Sequence, residues 1–324
     1  MNKTEWNDYK KNNIKLIWRT ANVGWNSSLP FKLPLIEFLK KNFNPAQIHY
    51  KLMKARFRLI RKPIMPCLEY VVTTKCTMNC KYCNTFIPYF NDETHYKPVT
   101  FEQFKEDLDT LLRAVDYVDY FGFVGGEPLM VKDLDKMIKY AISKKKLHHV
   151  FLASNCTILP NEKLLKAMKS KKFAVQLSDY RGVEFKNGVT VKFNEYKKLL
   201  ENNGILYSCP QLEADRFAFQ SMPEIFKDTQ DENKLKGIFG CCWGQYCNML
   251  CDGILTQCTL SVFITRTMEL SDEIKKELVN IREKKSPRKL TDEIIKFYAK
   301  PYSAFCHYCH NDNIQYGLPT GEQL

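Results

Sequence analysis

From residue 67 onward, short and nearly unbroken apolar runs alternate with amphipathic stretches. Six of these runs are rich in β-branched and aromatic residues and predict strands covered by helices: CLEYVVTT, YVDYFGFVGG, HVFLASN, FAVQLSD, VTVKF and ILYSC. The stretches between them, such as TFEQFKEDLDTLLRAV, space their apolar residues as one helix face does. Six strand–helix units are fewer than the eight of a complete barrel, so the pattern predicts an α/β fold with a partial (β/α)6 TIM barrel over residues 67–210.

The alternation stops after Pro210, and residues 211–324 follow a different pattern. A linker of mixed charge leads to a predicted hairpin that turns at Asp252-Gly253. Charged helical stretches then separate this hairpin from the final CHYCH. We therefore expect a small C-terminal domain that is organised by its cysteines.

The first 66 residues carry most of the net charge of the chain. They hold 14 Lys or Arg against 3 Asp or Glu, which leaves only +2 of the total +13 for the rest. Their best helical stretch, 46–62, has one apolar stripe and is otherwise basic, so we predict a basic amphipathic N-terminal extension. This helix either packs its stripe on the barrel or docks on an anionic membrane surface or an acidic partner.

The composition indicates the class of protein and the cellular compartment. With 44% hydrophobic and 26% charged residues, the chain is typical of globular proteins. No apolar stretch approaches the roughly 18 residues of a membrane-spanning helix, and the polar start does not resemble a secretory signal. We expect a cytoplasmic protein, with peripheral membrane attachment as the alternative. In that compartment 13 cysteines, mostly clustered, indicate metal rather than disulfides.

The first cluster places three thiols in one loop directly after the first predicted strand: Cys76, Cys80 and Cys83. A structural zinc site uses four ligands, so three are an incomplete set. On a 4Fe–4S cluster, three thiolates leave one iron open to bind something else. A structural or zinc-binding loop remains the alternative.

This CxxxCxxC spacing, with an aromatic residue before its third cysteine, is followed by Gly125-Gly126-Glu127-Pro128 at the end of the second strand. The two motifs in this order resemble the radical S-adenosylmethionine (radical SAM) superfamily. The resemblance implies that the three cysteines hold a 4Fe–4S cluster whose open iron chelates SAM. It also implies a set of SAM-binding residues near the strand ends: Tyr82, Gly125, Gly126, Glu127, Ser154, Asn155 and Ser178. Ser and Asn at strand ends are also common turn formers, which is the plain structural alternative for the last three.

The resemblance further implies the reaction. The reduced cluster gives one electron, SAM splits, and a 5′-deoxyadenosyl radical removes a hydrogen atom from the substrate. The partner it implies is an external one-electron donor such as flavodoxin or ferredoxin. The protein aims the radical and excludes water.

The second cysteine group, with Cys306-x2-Cys309 following Cys258 after a gap, resembles the C-terminal extension called SPASM or its shorter form, twitch. The resemblance implies an auxiliary 4Fe–4S cluster, the second of two, and it implies these ligands: Cys242, Cys258, Cys306 and Cys309, with Cys247 as an alternative. A zinc ribbon that adds His307 and His310 is the alternative.

Relatives of this kind include sugar and cyclitol dehydrogenases, carbohydrate epimerases and peptide maturases. Residues 1–66 are too short and too rich in proline for the leader-binding domain that peptide maturases commonly carry. We therefore expect a sugar or polyol substrate, dehydrogenated or epimerised, in surface-polysaccharide or related biosynthesis; a peptide maturase is the alternative. An epimerase needs a hydrogen-atom donor, and the candidate is Cys209, at the end of the sixth predicted strand. The alternative is that Cys209 only packs in the core. A non-enzymatic nucleic-acid or membrane binder does not explain the Gly-Gly-Glu-Pro motif, so we expect no nucleic acid.

Overall fold

The computed structural model describes residues 62–90, 98–209, 231–283, 286–309 and 321–324. The predicted basic extension lies outside the described residues except for its last five positions. Of these, Ile64, Met65 and Pro66 already belong to the first strand.

The chain forms one eight-stranded sheet in the order β5-β4-β3-β2-β1-β6-β7-β8. The strands are β1 (Ile64–Thr73), β2 (Tyr117–Gly125), β3 (Leu147–Ser154), β4 (Phe173–Leu177), β5 (Leu206–Ser208), β6 (Cys247–Cys251), β7 (Ile254–Thr256) and β8 (Val279–Asn280). Neighbouring strands from β5 through β1 to β6 are parallel, and β7 and β8 are antiparallel additions at one edge. The predicted α/β class with a partial barrel is confirmed.

The six parallel strands are not the six that the sequence predicts. The VTVKF segment pairs with no strand, so this prediction is wrong: Val189–Lys192 is irregular, and Phe193 begins a helix. Lys192 donates its N–H to the carbonyl of Cys156, which is a single bond rather than a strand ladder. The sixth parallel strand is β6, which comes from the C-terminal region and lies against the opposite side of β1.

Eight α-helices complete the described part of the fold. They are α1 (Phe101–Ala114), α2 (Leu134–Ser143), α3 (Glu162–Met168), α4 (Phe193–Asn202), α5 (Glu232–Cys241), α6 (Thr259–Thr267), α7 (Asp272–Lys275) and α8 (Pro287–Ala299). Helix α1 begins with a capping box in which Thr100 and Gln103 exchange side chain–backbone hydrogen bonds. Its buried Phe104 packs against Tyr70 of β1 and Phe121 of β2, so these two residues mark the helix-covered face of the sheet. None of the described helices is long and apolar enough to cross a membrane.

The opposite face of the sheet is the barrel lumen, because side chains alternate between faces along a strand. In β1 it receives Cys67 and Glu69, whose neighbours Leu68 and Tyr70 are buried under the helices. Burial raises the pKa of the Glu69 carboxyl to about 7. Towards the carboxyl ends of the strands, Gln176 and Ser208 lie side by side as register partners of β4 and β5.

The predicted hairpin at Asp252-Gly253 is present between β6 and β7. Both residues have positive φ (50° and 75°), as this two-residue turn requires. Arg282 then fastens the hairpin to the barrel, since its guanidinium bridges Asp252 and the buried Asp107 of α1. Asp107 also accepts a hydrogen bond from the hydroxyl of Tyr70 at 2.7 Å. The C-terminal hairpin is therefore continuous with the barrel sheet and joined to its helical layer.

Candidate cluster-binding site

The three cysteines of the first group lie in the loop that follows the carboxyl end of β1. Cys76, Cys80 and Cys83 are all partly buried. Burial, together with the neighbouring thiols, raises the pKa values of Cys76 and Cys80 to about 12. Thiols in such a place stay protonated until a metal takes the place of the proton.

Several groups donate hydrogen bonds to, or share them with, these sulfurs. The Met78 N–H and the Asn155 side-chain amide both donate to the Cys76 sulfur at 3.4 Å. The Cys83 sulfur shares a hydrogen bond with the Thr85 hydroxyl at 3.0 Å. Hydrogen bonds to ligating sulfurs help to set the potential of an iron–sulfur cluster, so this loop has the surroundings that such a cluster uses.

The two glycines of the Gly-Gly-Glu-Pro motif bring the end of β2 against the backbone of the cysteine loop. A Cβ on Gly125 would lie 2.1 Å from the carbonyl oxygen of Thr73, and one on Gly126 would lie 2.0 Å from that of Lys75. Gly126 and Glu127 donate their N–H groups to these same two carbonyls at 2.9 Å. Glycine is therefore required at both positions by the close approach of β2 to the protein's own loop, and the contact of these glycines with SAM remains a prediction.

Glu127 is completely buried and joins the ends of two strands. Its carboxylate accepts hydrogen bonds from the N–H groups of Leu129 and Asn155 and from the hydroxyl of Ser154, at 2.8–3.1 Å. Burial raises its pKa to about 7. These contacts give Glu127 a positioning role, and its direct contact with SAM remains a prediction.

The residues at the ends of β3 and β4 lie next to the cysteine loop. The Asn155 amide reaches both Cys76 and the Thr77 hydroxyl, and its oxygen accepts from Thr157. Ser178 donates its N–H to the Ser154 carbonyl, which aligns the two strand ends. Ser154, Asn155 and Ser178 thus come together as predicted for one site, while their contact with SAM remains a prediction.

Tyr180 is a site residue that the sequence analysis did not single out. Burial raises its pKa, and so does the proximity of Cys80, Cys83 and Cys76, so Tyr180 lies near the first cysteine group. Its position three residues beyond the end of β4, in LSDY, was the signal that the sequence offered. Tyr82 instead lies under the ammonium group of Lys81, at 4.9 Å from its ring centre.

The C-terminal residues 321–324 run alongside the cysteine loop. Cys80 and Gln323 form an isolated antiparallel bridge, Lys81 donates its N–H to the Glu322 carbonyl, and Leu324 donates its N–H to that of Asn79. The residues in contact are more than 200 positions apart, so no local sequence pattern predicts this contact.

The second cysteine group also converges. Burial raises the pKa of the Cys306 thiol, and so does the proximity of the thiols of Cys258, Cys309 and Cys242. Gly244 donates its N–H to the Cys242 sulfur at 3.3 Å. This is the set of four predicted to hold an auxiliary cluster, and ligation by it remains a prediction.

Cys247, the predicted alternative ligand, lies elsewhere. It is buried in β6 as the register partner of Cys67, and their sulfurs are 3.0 Å apart. Its strand position directs it into the lumen rather than towards the four predicted ligands of the auxiliary cluster.

An aromatic cluster separates the two cysteine groups. Phe86 from the first loop stacks on Phe263 of α6 at 5.3 Å, and Phe90 meets the same ring edge-on at 5.1 Å. Cysteines from both groups pack against this cluster: Cys76, Cys83, Cys258 and Cys309. The Thr259 hydroxyl also donates directly to the Asn84 carbonyl of the first loop. The two candidate sites therefore share one packed layer.

Cys209 follows β5 at the mouth of the lumen, partly buried, and packs against the main core. The Cys156 thiol and the Arg181 guanidinium lie near it. This is the predicted position for Cys209, and its role as a hydrogen-atom donor remains a prediction.

The donor set of the first loop fits a polynuclear cluster better than a single ion. In the described ranges, the one trio of ligand atoms lying within 4.8 Å of each other belongs to other residues, so the sulfurs of Cys76, Cys80 and Cys83 are more widely spaced. A cubane accommodates such spacing because each thiolate binds a different iron. Fold and site together define a class: an α/β protein whose parallel sheet carries a three-thiol loop at its carboxyl edge.

Residues 70–179 match the model of the Radical SAM superfamily, so the chain contains a radical SAM domain. The matched range begins within β1, ends just after β4 and contains both sequence motifs.

Two curated proteins match parts of the chain. The S-adenosylmethionine-dependent nucleotide dehydratase of Selenomonas ruminantium is 30% identical over 94 residues, which are 29% of this chain and 31% of that protein. The 7,8-dihydro-6-hydroxymethylpterin dimethyltransferase of Methanocaldococcus jannaschii is 31% identical over 115 residues, which are 36% of this chain and 22% of that protein. The matched part is thus less than a third of either relative. Among solved structures, BtrN in complex with AdoMet and 2-DOIA aligns with 80% of this chain and 96% of its own, at 16% identity and a TM-score of 0.42.

Proposed function

We propose that this protein is a radical SAM enzyme that uses Cys76, Cys80 and Cys83 to hold a 4Fe–4S cluster and binds S-adenosylmethionine beside it. When bound, the pair supplies a one-electron cleavage of SAM that leads to removal of a hydrogen atom from the substrate. The observation that carries the proposal is the contact between the two motifs: the Gly125-Gly126 backbone presses against the cysteine loop, and Asn155 donates to the Cys76 sulfur.

The chain's own residues prepare this site. Glu127 holds the ends of β2 and β3 in register, so that Ser154 and Asn155 face the loop. Tyr180 adds a hydroxyl near the three sulfurs and, with its aromatic ring, limits the access of water from the β4 side.

Two polar side chains at the mouth of the lumen support the proposal of a small polar substrate. Gln176 and Ser208 face it together at its mouth. The Ser208 hydroxyl oxygen is buried and has no hydrogen-bond partner among the described residues. A buried hydroxyl without a partner is costly, and a hydroxylated ligand would satisfy it. We therefore propose a sugar or polyol substrate, which is dehydrogenated or epimerised.

We further propose an auxiliary 4Fe–4S cluster on Cys242, Cys258, Cys306 and Cys309. A cluster with all its irons bound to the protein cannot chelate substrate, so its role would be electron transfer or structural support. The aromatic cluster that both cysteine groups contact supports coupling between the two sites.

The activity test uses protein that has been reconstituted anaerobically with iron and sulfide. With SAM and dithionite, we expect 5′-deoxyadenosine from the wild type and none from the triple variant of Cys76, Cys80 and Cys83 to Ala. Cys251→Ser is the matched control, because this buried β6 thiol lies outside both cysteine groups, and it should retain the activity. Absence of 5′-deoxyadenosine from the wild type would refute the proposal.

Turnover of candidate sugars and polyols in deuterated water separates the two reactions. Epimerisation leaves solvent deuterium on carbon, whereas dehydrogenation gives an oxidised product without it. If Cys209 is the hydrogen-atom donor, Cys209→Ala will abolish deuterium incorporation while 5′-deoxyadenosine still forms. Modification of a peptide rather than a polyol would contradict the substrate class but leave the radical SAM assignment intact.

A further inference from the structure

Three side chains of metal-binding type meet in the lumen, away from both cysteine groups. Cys67 of β1 and Cys247 of β6 are register partners, with sulfurs 3.0 Å apart. Glu69 lies two residues beyond Cys67 on the same face of β1. The ligand atoms of all three lie within 4.8 Å of one another, and no other trio in the described ranges does so.

This trio combines three acidic groups without a cation. In the described parts of the chain, no ion pair or hydrogen bond joins the Glu69 carboxylate to a Lys, Arg or His side chain. Cys67 and Cys247 are both buried. Buried acidic groups without a cation hold their protons, and a metal ion can take the place of these protons when it binds.

We propose that Cys67, Glu69 and Cys247 bind one divalent cation of the zinc class. Two thiolates with one carboxylate form a borderline-soft donor set, which suits Zn²⁺ rather than Mg²⁺ or Ca²⁺. Sulfurs bound tetrahedrally to zinc at about 2.3 Å lie about 3.8 Å apart, so binding needs only a small opening of the present pair. The two thiol protons leave to solvent on binding.

The number of protein ligands indicates which kind of zinc site this would be. Three protein ligands leave a fourth position open, as in catalytic rather than structural zinc sites. Glu69 is only partly buried, so the open position faces the lumen on its side. Glu69 lies four residues, or about 13 Å along the strand, from Thr73 at the carboxyl end of β1. A bound ion would present a Lewis-acidic position to water or to an oxygen of a ligand below the mouth that Gln176 and Ser208 line.

The site belongs to neither proposed cluster, and its test does not depend on the proposed reaction. Full-length protein is reconstituted anaerobically with iron and sulfide, incubated with zinc chloride and desalted; zinc and iron are then measured by mass spectrometry. We expect the wild type to hold about one zinc per chain more than the double variant Cys67→Ser/Cys247→Ser, with equal iron. Cys251→Ser, on the same face of the same strand, should match the wild type.

Glu69→Gln keeps the shape of the site but loses a charged ligand, and we expect it to weaken zinc binding on the order of tenfold or more. If the double variant fails to fold and loses iron, the zinc content of Glu69→Gln is compared with that of the wild type instead. Equal zinc in the wild type, the double variant and Glu69→Gln would overturn the proposal. So would a wild type that takes up no zinc and lacks two free thiols on denaturation, since this would mean that Cys67 and Cys247 form a disulfide.

Discussion

Cys80, the middle cysteine of the first loop, is paired through its backbone with Gln323. The bonds on either side run from Lys81 N–H to Glu322 and from Leu324 N–H to Asn79. The last four residues of the chain therefore hold the loop that carries the candidate ligands, much as a neighbouring strand would.

Deletion of residues 321–324 should weaken metal binding by this loop. The loop would lose the backbone hydrogen bonds that fix its conformation, and loss of such supporting contacts typically costs about 10- to 100-fold in metal affinity. Iron content after reconstitution at limiting iron measures the effect. Glu322→Gln is the control, because it removes only the exposed ion pair to Lys81 and should behave as the wild type. A truncated chain with unchanged iron would contradict this prediction.

Gly126→Ala should displace the cysteine loop. The new Cβ would lie 2.0 Å from the Lys75 carbonyl oxygen, and this backbone atom cannot move without shifting the loop. We expect a loss of about 3 kcal/mol in the free energy of unfolding and a marked loss of first-cluster iron. Gly237→Ala in α5 meets nothing within 4 Å and should be neutral or stabilising by up to about 1 kcal/mol. Equal stability of the two variants in urea unfolding would argue against the role assigned to Gly126.

Glu127 should make stability fall as pH rises. Because burial raises its folded-state pKa from 4.5 to about 7, the folded chain holds this proton more tightly than the unfolded chain. The stabilisation is present at low pH and is lost as pH rises through about 7. Glu127→Gln does not ionise and lacks this dependence. Its free energy of unfolding should therefore improve relative to the wild type by about 2.5 kcal/mol from pH 5 to pH 8, on top of a constant offset from its altered hydrogen bonds.

The measurement is urea unfolding of both proteins across this pH range, with Glu106→Gln on the exposed face of α1 as the control. Parallel pH profiles for the wild type and Glu127→Gln would show that Glu127 does not titrate as predicted.

Asp107→Asn should uncouple the C-terminal hairpin from the barrel. Asp107 is almost completely buried and binds Arg282 through two hydrogen bonds, at 2.8 and 2.9 Å. Loss of its charge leaves the guanidinium partly uncompensated, which typically costs about 3–5 kcal/mol. Glu232→Gln, which breaks the exposed pair with Lys236, should cost less than about 1 kcal/mol. Similar midpoints for these two variants in denaturant unfolding would contradict the prediction.

Local patterns in the sequence were sufficient for much of the fold. Apolar runs predict β1 to β5, and the Asp252-Gly253 turn predicts the β6–β7 hairpin, because strand periodicity and turn chemistry act over a few residues. They failed at VTVKF, where the same alternation occurs without a neighbouring strand to pair with. The first cysteine loop and the Gly-Gly-Glu-Pro motif were recognisable for the same reason: their spacing is itself the signal.

The sequence by itself therefore determined the α/β class, the three-thiol loop and the motif that lies beside it. Only the tertiary structure decided that Gly126 packs on Lys75, that Gln323 pairs with Cys80, and that Cys247 lies beside Cys67 rather than with the other C-terminal cysteines. Each of these contacts joins residues about 50 to 240 positions apart. Such contacts are fixed by sheet register and packing across the whole fold, and no local pattern encodes them.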